Sequence, residues 1–161
     1  MQNQYQLIVF DWNGTLSTGM LDLDHPIVAG LYKGVHDMLD VLALEYHIAI
    51  ATFASRSQLH KELEYHQIAQ YIDAMSCGDD GPRKPEAAVL NNLMGEFNLA
   101  PQHTLMVGDS HFDIQCAHNA GTDCVVVTQA GELENPAGLT VTGEIAHIRD
   151  LPQWLQTHAG R

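Results

Sequence analysis

The stretch LIVFDWNGTL, from Leu7 to Leu16, joins a short apolar run to a polar turn. An apolar run of this length that ends at a turn is typical of a strand buried on both faces, as in a parallel sheet. Asp11 comes at the end of the run, and Gly14 permits a tight turn just after it. Asn13 stands where a second acid would be chemically useful. The stretch therefore predicts a buried strand that delivers a carboxylate into a turn.

Apolar runs and helical patterns alternate along the rest of the chain. Further strands are predicted at 47–52, 73–77, 104–109 and 123–128, with a short edge strand in LTVTG at 139–143. Helices are predicted within 34–47, 55–66, 84–99, 112–120 and 150–158. This alternation predicts an α/β fold, a Rossmann-like three-layer α/β/α sandwich with a mainly parallel sheet.

Several residues mark the expected ends of these helices. Ser55 or Ser57 is expected to cap the second helix, because a serine hydroxyl accepts from free backbone N–H groups there. Pro85 suits the first turn of the third helix, where Glu86 would meet the positive end of the dipole. Gly121 is expected to close the fourth helix.

Four polar residues follow strands or begin a helix. Asp11, Thr52 and Asp109 lie at the carboxyl ends of predicted strands, and Lys84 lies at the start of a predicted helix. Ligand sites of open α/β sheets are built at the carboxyl ends of the strands. We therefore expect these four side chains to converge on one crevice.

The composition narrows the class of protein. The 161 residues favour one domain, 1–161, and the net charge of −13 argues against binding to nucleic acid or to an anionic membrane. Cys77, Cys116 and Cys124 have no framework or metal-binding spacing, which favours thiols in a reducing compartment. With no apolar segment of signal or membrane-spanning length, we expect a soluble, cytoplasmic protein.

Four short motifs resemble those of the haloacid dehalogenase (HAD) superfamily, in the same order and setting. They are DWNGT at 11–15, AT at 51–52, RKP at 83–85 and GDSHFD at 108–113. The stretch 84–131 is similar to the phosphoglycolate-phosphatase-like branch, and the resemblance as a whole covers 5–131. It implies a magnesium-dependent hydrolase of phosphate monoesters.

The resemblance assigns a metal site to the acidic residues. Asp11 and Asp109 offer the hard oxygen ligands that Mg²⁺ prefers, and the family adds the backbone carbonyl of Asn13. Asp113 is implied as a second metal-site acid, acting through water or by orienting the others. Asp11 would attack phosphorus to give an aspartyl-phosphate, which water then hydrolyses.

A second group of residues is expected to hold the phosphate. Thr52 offers a hydroxyl and Lys84 a point charge. Backbone N–H groups of Trp12 and Asn13 can hold the remaining charge in the turn that Gly14 permits. Further candidate substrate contacts are Phe53, Arg56, Ser110 and His111. Arg56 and Arg83, with Lys84, place cations near the expected site in an acidic protein, which favours an anionic ligand.

Asn13 departs from the family's phosphatases, which use an aspartate there to protonate the leaving group and then activate water. An amide cannot exchange a proton, and such catalysis contributes about 10²–10⁴-fold. Three alternatives stay open: a slow phosphatase that uses a good leaving group or another acid such as His111; a disabled protein that binds a phosphorylated ligand or partner; and an engineered substitution that traps a complex.

The spacing of the motifs leaves no room for a cap domain. Thr15 to Thr52 holds a turn, one helix and one strand, and Lys84 to Asp109 holds one helix and one strand. The segment 16–34 is therefore expected to be a short flap over the site. An open site suits a phosphorylated small molecule or a phosphoprotein, or a second copy of the chain that covers it as a homo-oligomer.

Overall fold

A computed structural model describes residues 4–21 and 28–158. Its strands are β1 (Leu7–Phe10), β2 (Ser17–Leu21), β3 (Ala29–Leu31), β4 (His47–Ala51), β5 (Ala74–Ser76), β6 (Thr104–Gly108), β7 (Asp123–Val127) and β8 (Gly143–Ile145). Its α-helices are α1 (Val35–Leu42), α2 (Arg56–Tyr65), α3 (Ala87–Glu96), α4 (His111–Ala120) and α5 (Leu151–His158). Short 3₁₀ turns occur at Ala69–Tyr71, Pro101–His103 and Ile148–Asp150.

Six strands form one parallel sheet in the order β5-β4-β1-β6-β7-β8. Strand β1 lies in the interior of the sheet between β4 and β6, and all four of its residues are buried. Ile8 and Phe10 pack with the helices α1, α2 and α5, whereas Leu7 and Val9 pack with α3 and α4. Successive side chains of a strand point to opposite faces, so the apolar run of β1 supplies both cores of the predicted α/β/α sandwich.

The predicted helices are confirmed with small changes at their ends. Helix α1 buries Val35, Met38, Leu39 and Leu42, which share one face. The hydroxyl of Ser55 accepts a hydrogen bond from the backbone N–H of Gln58, so Ser55 is the residue that caps α2.

The structure tests the sequence prediction at three helix and strand ends. Two of them differ from the prediction, and one confirms it. Helix α3 begins at Ala87, so the placement of Pro85 in its first turn is wrong; Pro85 and Glu86 precede the helix. The edge strand lies at Gly143–Ile145 rather than at 139–143. Gly121 closes α4 at a φ of 77°, a left-handed conformation that glycine adopts at little cost.

The flap segment 16–34 contains an antiparallel hairpin of β2 and β3, which the sequence did not predict. Its middle, 22–27, lies outside the described residues. In the described part of the chain, this hairpin and α1 are the only elements between β1 and β4, and no cap domain lies there. None of the described helices is long and apolar enough to cross a membrane.

Candidate active site

Three neighbouring strands bring the predicted polar residues together. Asp11, Thr52 and Asp109 come directly after β1, β4 and β6, which lie side by side. Together with Lys84 they line one cavity of about 270 Å³ at the carboxyl edge of the sheet. The other lining residues are Asn13, Phe53, Ser110 and Phe112. The predicted convergence of the four side chains is therefore confirmed.

Buried carboxylates surround the ammonium group of Lys84. Its Nζ lies 2.8 Å from Oδ1 of Asp11 and 2.7 Å from Oδ1 of Asp113. Carboxylate oxygens of Asp11, Asp109 and Asp113 all lie within 4.8 Å of one another. Because Lys84, Asp11 and Asp113 are buried, their charges interact more strongly than at the surface, whereas Asp109 is half-buried.

Burial and charge shift the ionisation of this cluster. Burial raises the pKa of Asp11 to about 6, although Lys84 pulls in the opposite direction. Burial, with the nearby charge of Asp11, also raises the pKa of Asp113. Burial opposes the charge on Lys84, but Asp113 and Asp11 outweigh it and raise the pKa of the ammonium. Burial thus disfavours the ionised carboxylates of Asp11 and Asp113, and Lys84 partly offsets this effect.

The donor set fits a divalent cation. Three ionised carboxylates and one ammonium would leave an excess of two negative charges. Hard oxygen donors on Asp11 and Asp109, at the edge of a cavity that also contains Asn13, match the preference of Mg²⁺. Both oxygens of Asp113 accept hydrogen bonds from protein groups, so we expect it to act on the metal through water or by orienting the other ligands.

Asp113 fixes the loop that carries Asp109. Its Oδ2 accepts hydrogen bonds from the backbone N–H groups of Asp109 and Ser110 and from the hydroxyl of Ser110. A Cβ on Gly108 would lie 2.2 Å from the same Oδ2. Glycine at 108 is therefore what allows this buried carboxylate to approach the backbone so closely.

The turn after Asp11 shows a similar close approach. Gly14 has a φ of 87°, and a Cβ there would lie 2.0 Å from Oδ2 of Asp109. The hydroxyl of Thr15 donates toward Oδ2 of Asp11 at 3.4 Å, and it lies 3.5 Å from Oδ1 of Asp109. The amide of Gln129 donates to the carbonyl oxygens of Gly14 and Thr15. These contacts hold the two acidic loops against each other.

The side chain of Trp12 is buried away from solvent, so only its backbone could reach a ligand, as the sequence predicts. The indole Nε1–H donates a short hydrogen bond to Glu62 on α2, and Gln58 donates to the other oxygen of Glu62. Asn13 is exposed and lines the cavity. The turn therefore buries the side chain of Trp12 in the core and exposes the side chain of Asn13 to the cavity.

Thr52 and Phe53 lie on the loop after β4. The hydroxyl of Thr52 accepts a hydrogen bond from the backbone N–H of Ala54, which leaves its proton free for donation into the cavity. Gly78 packs against this loop so closely that a Cβ would lie 2.0 Å from the carbonyl oxygen of Phe53. The loop is thus held by backbone packing.

Two of the predicted substrate contacts, Arg56 and His111, do not line this cavity. The guanidinium of Arg56 pairs with Asp80 at 2.6 Å and donates to the carbonyl oxygen of Met75, so its charge is used within the protein. His111 packs against Phe112, with ring centroids 4.2 Å apart. Neither Arg56 nor His111 is among the described residues that line the cavity. Arg83 likewise donates to the carbonyl oxygen of Gly78.

Sequence reasoning missed several residues that shape the site. Phe112 lines the cavity in place of its neighbour His111. Thr15, Glu62 and Gln129 hold the turn after Asp11 by hydrogen bonds. Thr15 belongs to the DWNGT motif and could have been singled out from it. Glu62 lies 50 residues from its partner Trp12, and no local pattern signals that contact.

Comparisons with known proteins show what this chain is similar to. The model of the family described as "Haloacid dehalogenase-like hydrolase" matches residues 23–127. Pyrophosphatase PpaX of Bacillus mycoides is 32% identical over 99 residues, which are 60% of this chain and 46% of that protein. The phosphoglycolate phosphatase of Vibrio vulnificus is 37% identical over 93 residues, 56% of this chain and 41% of that protein. The chain thus spans less than half the length of these relatives.

A solved structure shows that the likeness of fold extends over nearly the whole chain. A haloacid dehalogenase-like family protein from Streptococcus pneumoniae superimposes with a TM-score of 0.80. The match covers 95% of this chain and 99% of that one at 17% identity, which establishes the shared fold.

Proposed function

Since the chain belongs to the haloacid dehalogenase-like hydrolases, we propose that it is a Mg²⁺-dependent phosphatase that acts through an aspartyl-phosphate on Asp11. The observation that carries this proposal is the contact of Lys84 with Asp11 beside Asp109 and Thr52. A carboxylate nucleophile repels an anionic phosphate, and this arrangement offers cationic and hydrogen-bonding groups that offset the repulsion.

The first chemical step transfers the phosphoryl group to the protein. An oxygen of Asp11 attacks phosphorus, and the bond between phosphorus and the ester oxygen breaks. Lys84 and the free hydroxyl proton of Thr52 would hold phosphate oxygens in line for this attack. Asp11, Asp109 and the carbonyl of Asn13 would hold Mg²⁺, which supplies charge neutralisation between nucleophile and phosphate when bound.

The second step is attack of water on the aspartyl-phosphate, and here Asn13 matters most. No carboxylate stands at position 13 to accept the proton of that water. We therefore propose that turnover is slow and that it depends on the leaving group. Lys84 pairs with Asp113, Asp11 is the proposed nucleophile and Asp109 is a proposed metal ligand, so none of these three acids is available to replace a carboxyl group at position 13.

The substrate class follows from the site and from the relatives. The names of two relatives, a pyrophosphatase and a phosphoglycolate phosphatase, indicate that those proteins cleave a phosphate from a small anion. We propose a phosphorylated small molecule as the ligand, with a phosphoprotein as the alternative that the open cavity also admits. A second copy of the chain remains our proposal for what would cover the cavity. The free, buried cysteines support a cytoplasmic location.

A second function from another class is a phosphate-binding protein without turnover. The exposed amide of Asn13 in the cavity favours it, because binding needs the cation site and the donors but no proton transfer. This alternative predicts that a phosphate analogue binds in the presence of Mg²⁺ although no phosphate is released.

Release of phosphate from acetyl phosphate and from p-nitrophenyl phosphate tests the proposal. Both have leaving groups that need little protonation. We expect Mg²⁺-dependent release that Asp11→Ala abolishes and that Asp37→Ala, an exposed acid on α1, leaves intact. Release that persists in Asp11→Ala would show that Asp11 is not the nucleophile. Absence of release, with binding of orthovanadate retained, would favour the non-catalytic alternative.

A further inference from the structure

Two exposed aromatic rings stand at the mouth of the cavity. Phe53 is 46% exposed and Phe112 is 38% exposed, and both line the cavity with Asp11 and Asn13. The two rings pack edge to face, with centroids 5.3 Å apart and planes at 79°. We call this pair the aromatic rim. Two partly exposed rings in contact beside a polar cavity offer an apolar surface on which part of a ligand could pack.

The rim lies on the same segments as residues that line the cavity. Phe53 follows Thr52 on the loop that Gly78 packs against, and Phe112 lies in the first turn of α4, two residues after Ser110. Nζ of Lys84 lies 5.1 Å from the centroid of Phe53. A group attached to a phosphate held by Lys84 would therefore emerge beside these rings.

Asn13 also limits which substituent the phosphate can carry, for a chemical reason. Without an acid at position 13, the leaving oxygen departs unprotonated. An alkoxide is a poor leaving group under this condition, whereas a phenolate spreads its charge over the ring. The missing acid and the aromatic rim thus favour the same kind of substituent.

Resting on the proposed phosphatase function, we propose that the site takes aryl phosphate monoesters, with the aryl ring packed on Phe53 and Phe112. The cavity of about 270 Å³ suits a phosphate with one small ring at its mouth. The carboxylate of Asp11 forms the new bond to phosphorus, and the phenolate leaves with the electron pair of the broken P–O bond. Water then attacks phosphorus, the bond between phosphorus and the Asp11 oxygen breaks to restore the carboxylate, and the water proton goes to the departing phosphate and solvent. The phenolate takes a proton from solvent.

Phosphonates measure binding without hydrolysis, because the proposed reaction does not cleave their carbon–phosphorus bond. Calorimetric titration of the Mg²⁺-loaded protein compares phenylphosphonate with methylphosphonate. We expect phenylphosphonate to bind several-fold more tightly. An aromatic contact is worth about 0.5–1.5 kcal/mol, so Phe53→Leu and Phe112→Leu should each reduce this preference by about two- to tenfold. Leu44→Ala, which truncates a side chain that is 85% exposed on another surface, should leave it unchanged.

Folding of the leucine variants is checked by their thermal unfolding. If one of them unfolds prematurely, the other carries the test, because the two residues lie on different elements. Free phosphotyrosine and a short phosphotyrosine peptide then distinguish a small-molecule source of the aryl group from a protein source. Tight binding of either one supports the aryl site.

The outcomes separate this inference from the function on which it rests. Equal binding of the two phosphonates, with Asp11-dependent hydrolysis of acetyl phosphate intact, would overturn the aryl site alone. An unchanged preference in both leucine variants would also overturn it. No binding of either phosphonate, together with no hydrolysis of acetyl phosphate, would overturn the proposed function and the aryl site with it.

Discussion

Nζ of Lys84 lies 2.8 Å from Oδ1 of Asp11, although 73 residues separate them in the chain. The lysine precedes α3, whereas the aspartate directly follows the interior strand β1, so the contact ties the segment before a helix to the middle of the sheet. Both side chains are buried. A buried charge is tolerated when it is paired, and this pairing also aims the lysine at the place where a phosphate would arrive.

Lys84→Met should destabilise the metal-free protein strongly at neutral pH. It leaves Asp11 and Asp113 buried without their cation, and loss of one partner of a buried pair costs about 3–5 kcal/mol. Urea unfolding at pH 7.5 measures the free energy of unfolding. Lys61→Met, at an exposed position of α2, is the control and should change it little. Similar unfolding midpoints for the two variants would contradict the importance of this pair.

Mg²⁺ should stabilise the protein more at pH 7.5 than at pH 5. The pKa of Asp11 is raised to about 6 in the folded protein, so a proton occupies it below that pH and competes with the cation. In the metal-free protein, burial on folding disfavours the ionised form of Asp11. The contribution of Asp11 therefore lowers stability as pH rises from about 4 through 6.

Thermal unfolding with and without Mg²⁺ at the two pH values measures this effect. Asp11→Asn should remove most of the Mg²⁺-induced shift, whereas Asp37→Asn, on the exposed face of α1, should keep it. A shift of equal size at pH 5 and pH 7.5 in the unsubstituted protein would argue against Asp11 as a ligand.

Asn13→Asp should raise the rate of phosphate release, and most for alkyl phosphates. The new carboxyl group would protonate the leaving oxygen and then activate water, which contributes about 10²–10⁴-fold in comparable reactions. Steady-state assays of a simple alkyl phosphate and of acetyl phosphate compare the two. Asn13→Ser changes the side chain without adding an acid and serves as the control. An equal gain in the serine variant would show that removal of the amide, rather than proton transfer, causes the effect.

Gly14→Ala should impair Mg²⁺ binding and stability together. The added Cβ would lie 2.0 Å from Oδ2 of Asp109, at a φ of 87° that a side chain rarely adopts, with a backbone cost of about 1–3 kcal/mol. The matched control is Gly95→Ala in α3, where a Cβ meets nothing within 4 Å. That change should stabilise the helix by about 0.5–1 kcal/mol. Urea unfolding and Mg²⁺ titration of both variants provide the comparison.

Much of the fold could be predicted because its signals are local. The apolar run of β1 is buried on both faces, as its composition implies, and Val35, Met38, Leu39 and Leu42 form the buried face of α1. The strand β8 was misplaced because it has only three residues at the sheet edge, where the partner strand β7 rather than its own composition sets the pairing. The hairpin of β2 and β3 was not predicted because its short strands do not alternate clearly between apolar and polar residues.

The sequence by itself determined that Asp11, Thr52, Lys84 and Asp109 meet, because parallel strands end at one edge and the motifs follow those strands. Only the tertiary structure decided where the remaining side chains go. Arg56 turns to Asp80, Trp12 is held by Glu62, and Phe112 rather than its neighbour faces the cavity. The positions of these side chains depend on contacts with residues that are distant in the chain and on which side of a helical turn faces the cavity. A local pattern of residues contains neither kind of information.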